Sequence, residues 1–426
     1  MTLTWPLIVS LMHIGLIVWL VLVILLRRTG SSDTRLAWIV FIGLAPFIGA
    51  IAYMFLGGPR IAGRRRRKHA RIHHMCIQVQ RECATPSHAC TSTIPAPYDR
   101  VFSLAGAVTD TDVTGGNSLQ LSRTPQDFAN EFEQDLDQAC DTIHVLTYIY
   151  LDDEMGRRVG NALIRAAQRQ VKVRLLVDSV GSRNFLRSPL RAEIAKAGVQ
   201  IVELLPANVV RMIFSRLDLR NHRKIAVIDN HIGWVGSRNM ASPSFAPKAR
   251  YAPWVDCMAR MRGPAVQDLQ ILFLEDLQGA TGEHLPSLIQ MPQTAVEGGC
   301  AKCQILGSGP NFNNDALSDV LQACFHTASR ELTLTTPYYV PDAATESALR
   351  CAALRGVKTT LIVPARNDSH LVSLASRSHY AKLIKAGVEI WEFQAGLLHA
   401  KTMTIDDGLF MIGSANLDRR SLSLNF

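Results

Sequence analysis

Two short motifs place the same reactive side chains at the same spacing in two distant parts of the chain. Each contains a histidine, a lysine two residues later, an aspartate seven residues after the histidine, and then a serine and an asparagine. The copies are His222, Lys224, Asp229, Ser237 and Asn239, and His399, Lys401, Asp406, Ser414 and Asn416. An imidazole can attack or protonate near neutral pH, and a fixed ammonium offsets phosphate charge. The motifs therefore predict phosphoryl transfer, with the serines and asparagines as additional neutral donors that bind the substrate.

The duplication makes a weak motif informative. A single His-x-Lys on a strand is more often structural. Two copies related by a pseudo-twofold axis can place His222 and His399 on opposite sides of one phosphorus, so that one attacks while the other protonates the leaving oxygen. We expect the two imidazoles to titrate as a coupled pair, one neutral and one protonated in the resting protein. This chemistry requires no metal and no cofactor, and we predict neither.

Each motif is predicted to begin a β-hairpin, with strands over 224–229 and 401–406. The predicted turns are Asp229-Asn230 and Asp407-Gly408. Residues two apart on a strand face the same way, so each histidine should lie beside its lysine. Asp229 and Asp406 have the opposite parity. That parity favours a role in stabilising the turns over proton transfer, although both stay among the candidate catalytic residues.

Self-similarity beyond the motifs predicts a duplicated α/β fold. Three segments of the first copy resemble three of the second at offsets of 189, 186 and 189 residues: 146–153 with 335–342, 171–178 with 357–364, and 196–203 with 385–392. Short β-branched runs alternate with helical stretches, as in parallel strands with helical crossovers. We predict two α/β/α sandwich halves packed face to face, over 126–290 and 291–426. Residues 72–125, with a Gly115-Gly116-Asn117 turn, are predicted to be a linker.

Two long uncharged segments within residues 1–71 predict a transmembrane hairpin. The segments 5–26 and 36–56 contain no Asp, Glu, Lys or Arg. Each is long enough to cross a hydrocarbon core of about 30 Å at about 1.5 Å per residue. The flank 60–71 carries seven basic residues and the connecting loop 27–35 carries three. The larger cluster should stay in the cytoplasm, and the downstream region with it.

The net charge of +9 lies entirely within residues 1–71, which hold ten basic residues and one acidic residue. The remaining 35 basic and 35 acidic residues balance, which gives little support for a nucleic-acid-binding surface. A membrane and its anionic phospholipids are the more consistent partners. The nine cysteines form no paired framework and indicate a reducing compartment. With 48% hydrophobic and 19% charged residues, the chain is neither disordered nor fibrous.

The twin His-x-Lys-x4-Asp motifs resemble those of the phospholipase D superfamily, and within it the bacterial cardiolipin synthases. The resemblance extends from the N-terminal segments to Phe426. It includes the segments 254–256, 307–310, 336–339 and 413–426. It implies a multi-pass enzyme of the bacterial inner membrane that transfers a phosphatidyl group between two phosphatidylglycerol molecules and releases glycerol, through a phosphohistidine. His222 and His399 then carry over as nucleophile and acid/base, with the family pattern favouring His222 as nucleophile, and Lys224, Lys401, Asn239 and Asn416 hold the phosphate.

The second half departs from the family pattern. In the family, an acidic residue on the strand after each motif accepts a hydrogen bond from the catalytic imidazole. Asp256 fits that place in the first half. The second half ends at Phe426, where the family continues Asn-Phe-Glu, and only ten residues follow Asn416. We therefore expect an incomplete second half, a poorly oriented His399 and impaired activity.

Three other functions remain consistent with the sequence. The first is a phosphodiesterase or nuclease that uses the same twin histidines. The second is another phosphatidyltransferase or a hydrolytic phospholipase D, which differs only in the acceptor. The third is a membrane-bound remnant that binds lipid without catalysis. Spacing alone does not decide which histidine attacks, and the oligomeric state is not predicted.

Overall fold

The computed structural model describes residues 5–26, 32–57, 63–83, 93–206, 219–289, 294–309, 315–423 and 425–426. Several predicted features therefore fall partly outside the described residues: the topology loop at 27–31, part of the basic flank at 58–62, part of the predicted linker at 84–92, and Pro310. The chain divides into two units. One is Met1–Ala62 with Ala207–Asp218, and the other is Gly63–Pro206 with Leu219–Phe426.

The described residues of the first unit form three helices, α1 (Trp5–Leu25), α2 (Ser32–Leu44) and α3 (Pro46–Leu56). The predicted second span, 36–56, is broken between α2 and α3. Pro46 has no N–H and disfavours helical geometry at the preceding residue, and Ala45 accordingly has φ −140° and ψ 73°. Within the described residues, no helix combines the length and the apolar character that a membrane crossing needs.

The second unit is an α/β structure. Its helices are α4 (Gly63–Cys83), α5 (Asp99–Thr109), α6 (Pro125–Gln138), α7 (Glu154–Gln168), α8 (Arg183–Leu186), α9 (Pro189–Lys196), α10 (Ala265–Thr281), α11 (Ala316–Thr327), α12 (Ala343–Leu354), α13 (His370–Lys385) and α14 (Arg419–Ser423). Its strands are β1 (Thr114–Leu121), β2 (Thr142–Thr147), β3 (Lys172–Asp178), β4 (Gln200–Leu204), β5 (Ile225–Ile228), β6 (Ile232–Gly236), β7 (Trp254–Val255), β8 (Met258–Arg262), β9 (Ala301–Cys303), β10 (Glu331–Thr335), β11 (Tyr339–Val340), β12 (Lys358–Pro364), β13 (Glu389–Phe393), β14 (Leu397–Leu398), β15 (Thr402–Ile405), β16 (Leu409–Ile412) and β17 (Leu417–Asp418).

Two sheets repeat one topology and confirm the predicted duplication. The first sheet has the order β4-β3-β2-β5-β6-β8-β1-β9, and the second has the order β13-β12-β10-β15-β16. In both, three parallel strands are followed by an antiparallel hairpin, β5–β6 or β15–β16. Each half has its own apolar core. The parallel strands bury alternate or nearly continuous β-branched residues under their crossover helices, as expected for this class of fold.

The segment expected to be a linker contains regular structure instead. It includes α4, α5 and β1, and β1 pairs with β8 on one side and β9 on the other. The predicted Gly115-Gly116-Asn117 turn lies inside β1. Asn117 is fully buried there and its Oδ1 accepts a hydrogen bond from the backbone N–H of Ala265. Long-range pairing thus overrides the local turn signal, and β9 joins the first sheet although it lies beyond the expected boundary at 290.

The two motif hairpins turn at equivalent aspartates. Asp229 and Asn230 have φ 49° and 55°, which confirms the first predicted turn. In the second hairpin the residues with positive φ are Asp406 and Asp407, one position earlier than predicted. Gly408 instead follows the turn, where a Cβ would lie 2.4 Å from the ring of Tyr98. This close approach explains the glycine, and the turn at Asp406-Asp407 is equivalent in position to the turn at Asp229-Asn230.

Candidate active site

Each histidine lies beside its lysine, directly before the first strand of its hairpin. Lys224 Nζ donates a hydrogen bond to the carbonyl oxygen of His222 at 2.8 Å. Lys401 Nζ donates to the carbonyl oxygen of His399 in the same way. All four residues are at most 9% exposed. The predicted neighbourhood within each motif is therefore present, although these residues precede the strands.

The His222 imidazole is held by the second half. Its Nδ1 lies 2.8 Å from the backbone carbonyl oxygen of Ser414. A carbonyl oxygen can only accept, so Nδ1 carries the proton and Nε2 keeps its lone pair. The ring also packs on Tyr148, with centroids 4.9 Å apart. This arrangement leaves Nε2 suited to attack an electrophile.

The His399 imidazole is held by the first half. Its Nδ1 donates to Asp256 Oδ1 at 2.6 Å, and its ring packs on Trp254 at 4.8 Å. We predicted that Asp256 serves the imidazole of its own half and that His399 has no carboxylate partner. Both expectations are wrong, because β7 and β14 pair in parallel across the halves and bring Asp256 beside His399.

Ser237 lies behind Asp256 and was predicted to bind substrate. Its Oγ donates to Asp256 Oδ1 at 2.7 Å and accepts from the backbone N–H of Cys257 at 3.0 Å. Ser237 is fully buried. Its hydroxyl is therefore committed to orienting the carboxylate, which corrects the prediction of a substrate contact.

The backbone of each histidine is also fixed by the segment that follows the other motif. The His399 N–H donates to the carbonyl oxygen of Val255 at 2.7 Å, and the His222 N–H donates to that of Phe426 at 3.0 Å. Val255 and Phe426 thus occupy equivalent positions. Each motif histidine is thus held by the segment that follows the other motif, and the two motifs form one site.

Burial dominates the electrostatics of this site. It lowers the pKa of His222 well below 6.5, an effect reinforced by Lys224, Lys401 and His399. It lowers the pKa of His399 to about 4, with Lys401 adding to the effect and Asp256 opposing it. Both imidazoles are therefore neutral near pH 7, whereas we expected one to be protonated. These mutual effects also place both histidines and both lysines close together.

The lysines and Asp256 respond to the same environment. Burial lowers the pKa of Lys401 to about 7, against the attraction of Asp256. Burial and Lys401 lower the pKa of Lys224 well below 10.5. Burial alone would raise the pKa of Asp256, but His399, Arg238 and Lys401 together bring it below its usual range. A buried cationic site of this kind gains most from binding an anion.

The two motif asparagines have different surroundings, and the cavity lining includes Asn416 but not Asn239. Asn239 Oδ1 accepts a hydrogen bond from the backbone N–H of Ile149 at 3.1 Å, which fixes the side chain. Asn416 is 6% exposed, and its buried Oδ1 has no hydrogen-bond partner among the residues that the structure describes. Asn416 and Ser414 also line the cavity beside the lysines. Asn416 is therefore available to contact a bound molecule.

Asp229 and Asp406 lie away from the catalytic groups. Asp229 accepts hydrogen bonds of 2.8 Å from three successive backbone amides, those of residues 140–142. Asp406 accepts bonds of 2.7 Å from the amides of residues 329–331. A four-residue strand, about 13 Å long, separates each aspartate from its lysine. Their candidacy as catalytic residues was wrong, and the turn-stabilising alternative fits.

A cavity of about 520 Å³ adjoins the site. His222, Lys224, Lys401 and Asn416 line its polar end, and the other walls are mostly apolar. They include Leu119, Leu121, Met261, Leu272, Leu334, Met403, Phe410 and Ile412. The volume is within the range of about 300–1,000 Å³ that is usual for ligand pockets. Its polar end and apolar walls match an amphiphile.

Sequence reasoning missed the residues that hold the imidazoles. Tyr148 and Trp254 are in segments that we singled out, but neither was assigned a role. The only sequence pattern that could have indicated them is an aromatic residue next to a short polar segment, and that pattern is too common to be specific. The Ser414 contact uses a backbone carbonyl and leaves no signal in the sequence. Among the described residues, no group of three or more His, Cys, Asp or Glu side chains has the geometry to hold a metal ion.

A duplicated α/β fold that brings two His-Lys pairs into one buried site defines the phospholipase D class. The family described as cardiolipin synthase, PLD-like domain, matches residues 132–251 and 321–426. The family described as phospholipase D-nuclease N-terminal matches residues 15–58. Cardiolipin synthase A of Proteus mirabilis is 37% identical over 409 residues, covering 95% of this chain and 83% of that protein. Cardiolipin synthase A of Yersinia pseudotuberculosis is 36% identical, covering 96% and 85%.

Among solved structures, the phosphatidylserine synthase of Haemophilus influenzae has the same fold, with a TM-score of 0.54 at 13% identity over 76% of this chain and 85% of that chain. The chain belongs to the cardiolipin synthase family of phospholipase D-like proteins. The resemblance inferred from the twin motifs is thereby confirmed.

Proposed function

We propose that this chain is a phosphatidyltransferase that converts two molecules of phosphatidylglycerol into cardiolipin and glycerol. Its family membership supports this reaction, since the relatives that match across most of the chain are cardiolipin synthases. The observation that carries the mechanism is the pair of buried imidazoles, each with its Nδ1 engaged and its Nε2 available.

In the first step, His222 is the nucleophile. Its Nε2 lone pair attacks the phosphorus of the first phosphatidylglycerol and forms a P–N bond, while the bond to the glycerol oxygen breaks. His399 donates its Nε2 proton to that oxygen, so that neutral glycerol leaves. Asp256 suits His399 to this role because a carboxylate on Nδ1 stabilises the imidazolium.

The second step reverses the first with a different alcohol. The terminal hydroxyl of a second phosphatidylglycerol gives its proton to His399 Nε2, and its oxygen attacks the phosphorus. The P–N bond breaks and its electron pair returns to His222. Cardiolipin forms and His399 regains a proton, so the two steps balance. Lys224 and Lys401 offset the charge of the phosphate oxygens throughout, and the Asn416 amide Nδ2 donates a hydrogen bond to one of them.

Substrate binding causes His399 to take up from solvent the proton that the first step needs. Both imidazoles are neutral in the free site, and a bound phosphodiester adds one negative charge between the lysines. That charge raises the pKa of His399, which then takes up a proton. The apolar walls of the adjoining cavity favour a phospholipid over a nucleic acid as the source of the phosphodiester.

The first unit supports attachment to a membrane. Large apolar side chains on α1–α3 are exposed, for example Trp5 at 77%, Leu44 at 82% and Ile48 at 67%. Apolar surface of this extent marks a site that is covered in the cell. We include in the proposal that segments 5–26 and 36–56 cross the bacterial inner membrane as a hairpin and that the catalytic unit faces the cytoplasm, as the basic flank indicates.

The reaction is tested by trapping the intermediate. The protein is incubated with phosphatidyl-p-nitrophenol carrying ³²P in the phosphate, quenched in alkali, and examined for acid-labile label. p-Nitrophenol leaves without general-acid help, so His399→Ala should accumulate label because the second step lacks its base. His222→Ala should carry no label. With phosphatidylglycerol as substrate, the unmodified protein should yield cardiolipin and glycerol.

The control is His284→Ala, which removes an exposed histidine and should leave labelling unchanged. Label that survives in His222→Ala and disappears in His399→Ala would reverse the two roles. Label unaffected by either change would contradict the assignment of the site.

The proposed topology is tested by thiol accessibility in spheroplasts. Cys140, Cys300 and Cys351 are exposed on the catalytic unit. A membrane-impermeant maleimide should label them only after the membrane is permeabilised. Labelling of intact spheroplasts would place the catalytic unit on the opposite side.

A further inference from the structure

We propose that residues 241–253, here called the strap, exclude water from the phosphohistidine and thereby select a lipid hydroxyl as the acceptor. The proposal rests on the proposed function, because it concerns which molecule enters the second step. It assigns acceptor specificity to residues that lie outside both motifs.

The strap is an asymmetric feature of a pseudo-symmetric site. Val255 and Phe426 are equivalent because each accepts the backbone N–H of the opposite histidine. Fifteen residues separate Asn239 from Val255, whereas nine separate Asn416 from Phe426. The six additional residues make room for the 3₁₀ helix Ala246–Tyr251. Because these six additional residues are present in the first half and not in the second, we expect them to serve one of the two histidines.

That histidine is His399. Trp254, which directly follows the strap, packs on the His399 ring. The tilted rings of Phe245 and Trp254 pack with centroids 4.1 Å apart, and Phe245 joins an apolar cluster with Leu151, Ala241 and Leu397. Leu397 comes from the second half, two residues before His399. Phe245 and Ala241 of the strap therefore extend the apolar wall that Trp254 forms beside His399.

The ends of the strap are fixed by hydrogen bonds. At its beginning, the Ser242 N–H donates to Asp153 Oδ2 at 2.8 Å, and the Ser242 hydroxyl accepts from the N–H of Met155 at 3.1 Å. At its end, the carbonyl oxygen of Pro253 accepts from the N–H of Leu397 at 3.0 Å. Rigid ends leave the central helix as the part whose position depends on a further contact.

Lys248 makes that contact. Its Nζ forms an ion pair with Asp368 Oδ2, across the two halves. The Asp368 side chain is 3% exposed and its Oδ1 also accepts a hydrogen bond from the Tyr338 hydroxyl at 2.6 Å, whereas Lys248 is 44% exposed. Asp368 is thus a fixed anchor, and Lys248 is the side chain that ties the centre of the strap to it.

In-line displacement explains why a wall on this side controls the acceptor. His222 holds the phosphorus from one face, so both the leaving oxygen and the incoming oxygen pass on the opposite face, beside His399. Water that entered there would give its proton to His399 Nε2, its oxygen would bond to phosphorus, and the P–N bond would break. The product would be phosphatidic acid, with His222 restored.

The test is the partition of products in Lys248→Met. In mixed micelles of ³²P-phosphatidylglycerol, the ratio of phosphatidic acid to cardiolipin should rise by about three- to fivefold, the range that loss of a half-exposed ion pair permits. The rate of glycerol release should stay within about twofold. Lys248→Arg keeps the charge and should restore the original ratio.

The matched control is Lys358→Met, which removes the same side chain from a surface pair with Glu331 in which both members are more than 50% exposed. It should leave the ratio unchanged. An unchanged ratio in Lys248→Met, or a parallel fall in both products, would overturn the proposal. Failure of the proposed function is distinguishable, because the unmodified protein would then form neither cardiolipin nor label that depends on His222.

Discussion

Asp256 accepts hydrogen bonds from two side chains of different halves, His399 Nδ1 and Ser237 Oγ. It is 5% exposed, so the carboxylate sits where charge is least screened. A negative charge on Nδ1 stabilises the imidazolium that forms when His399 takes a proton. At the scale of single residues, the acid/base assignment therefore depends on this carboxylate more than on the histidine alone.

Asp256→Asn tests this dependence. An amide oxygen can still accept both hydrogen bonds but carries no charge, so the imidazolium loses its main stabilisation. Turnover of phosphatidylglycerol should fall by about 10²–10⁴-fold. Burst release of p-nitrophenol from phosphatidyl-p-nitrophenol should fall much less, because that leaving group needs no proton. Ser237→Ala, which removes only a supporting hydrogen bond, should cost about tenfold or less; equal losses on both substrates would contradict the role given to Asp256.

Lys401 predicts a pH dependence of anion binding. Burial lowers its pKa to about 7, so the side chain is charged below that pH and becomes neutral above it. Glycerophosphoglycerol, the deacylated headgroup, should inhibit competitively with an inhibition constant that rises above pH 7 by up to about tenfold per pH unit. Lys401→Arg keeps its charge and should flatten this rise between pH 7 and 9. A constant that is independent of pH in the unmodified protein would exclude a titrating lysine at the phosphate site.

At the scale of elements, the two hairpins show how a motif residue can serve the fold alone. Asp229 and Asp406 each bind three successive amides at the start of a neighbouring segment. They thereby anchor the hairpin turn to the strand beside it, β2 or β10. The lysine and the aspartate of one motif thus act at opposite ends of the same strand.

Asp406→Asn should destabilise the protein without removing the chemistry. Hydrogen bonds to a charged acceptor are lost or weakened, so the free energy of unfolding should fall by about 1–3 kcal/mol. Phosphohistidine labelling at low temperature should persist. Asp407→Asn is the matched control, since Asp407 is 91% exposed and makes only a surface pair with Arg330. Thermal unfolding in detergent measures the first effect, and loss of labelling with an unchanged melting temperature would return Asp406 to the catalytic set.

The features predicted correctly from sequence are those fixed by local spacing. The twin motifs, the alternation of strands and helices, and the Asp229-Asn230 turn depend on residues close together in the chain. Most of the errors involve distant partners, although the break of the predicted span 36–56 at Pro46 is local. Asp256 meets His399 through strand pairing across 143 residues, and Asn117 is held by Ala265. Such contacts depend on the assembled sheets, and no local pattern encodes them.

At the scale of the molecule, elements that adjoin one half of the catalytic unit in sequence pack in the other half or pair across the two halves. α5 precedes the first half but contributes Val101 and Ala105 to the core of the second. β9, which follows the first half, closes the edge of the first sheet beside β1. β7 and β14 pair across the halves. These exchanges indicate that the two halves unfold together.

Equivalent cavities in the two cores test this cooperativity. Leu163 and Leu349 are fully buried in different cores, and each change to alanine should destabilise by about 2–5 kcal/mol. Both should lower the temperature of one common calorimetric transition. Leu354→Ala, at a residue 64% exposed, should have an effect within about 0.5 kcal/mol. Two transitions, each sensitive to only one substitution, would show independent halves.

The reciprocal support of the two imidazoles also has an evolutionary meaning. Since His399 is oriented by Asp256 and His222 by the carbonyl of Ser414, neither repeat contains a complete reactive centre of its own. An ancestor with a single repeat could have worked only as a homodimer. After gene duplication, the two copies could diverge except at these mutual contacts. A mutation at such a contact in one repeat therefore inactivates the histidine of the other repeat.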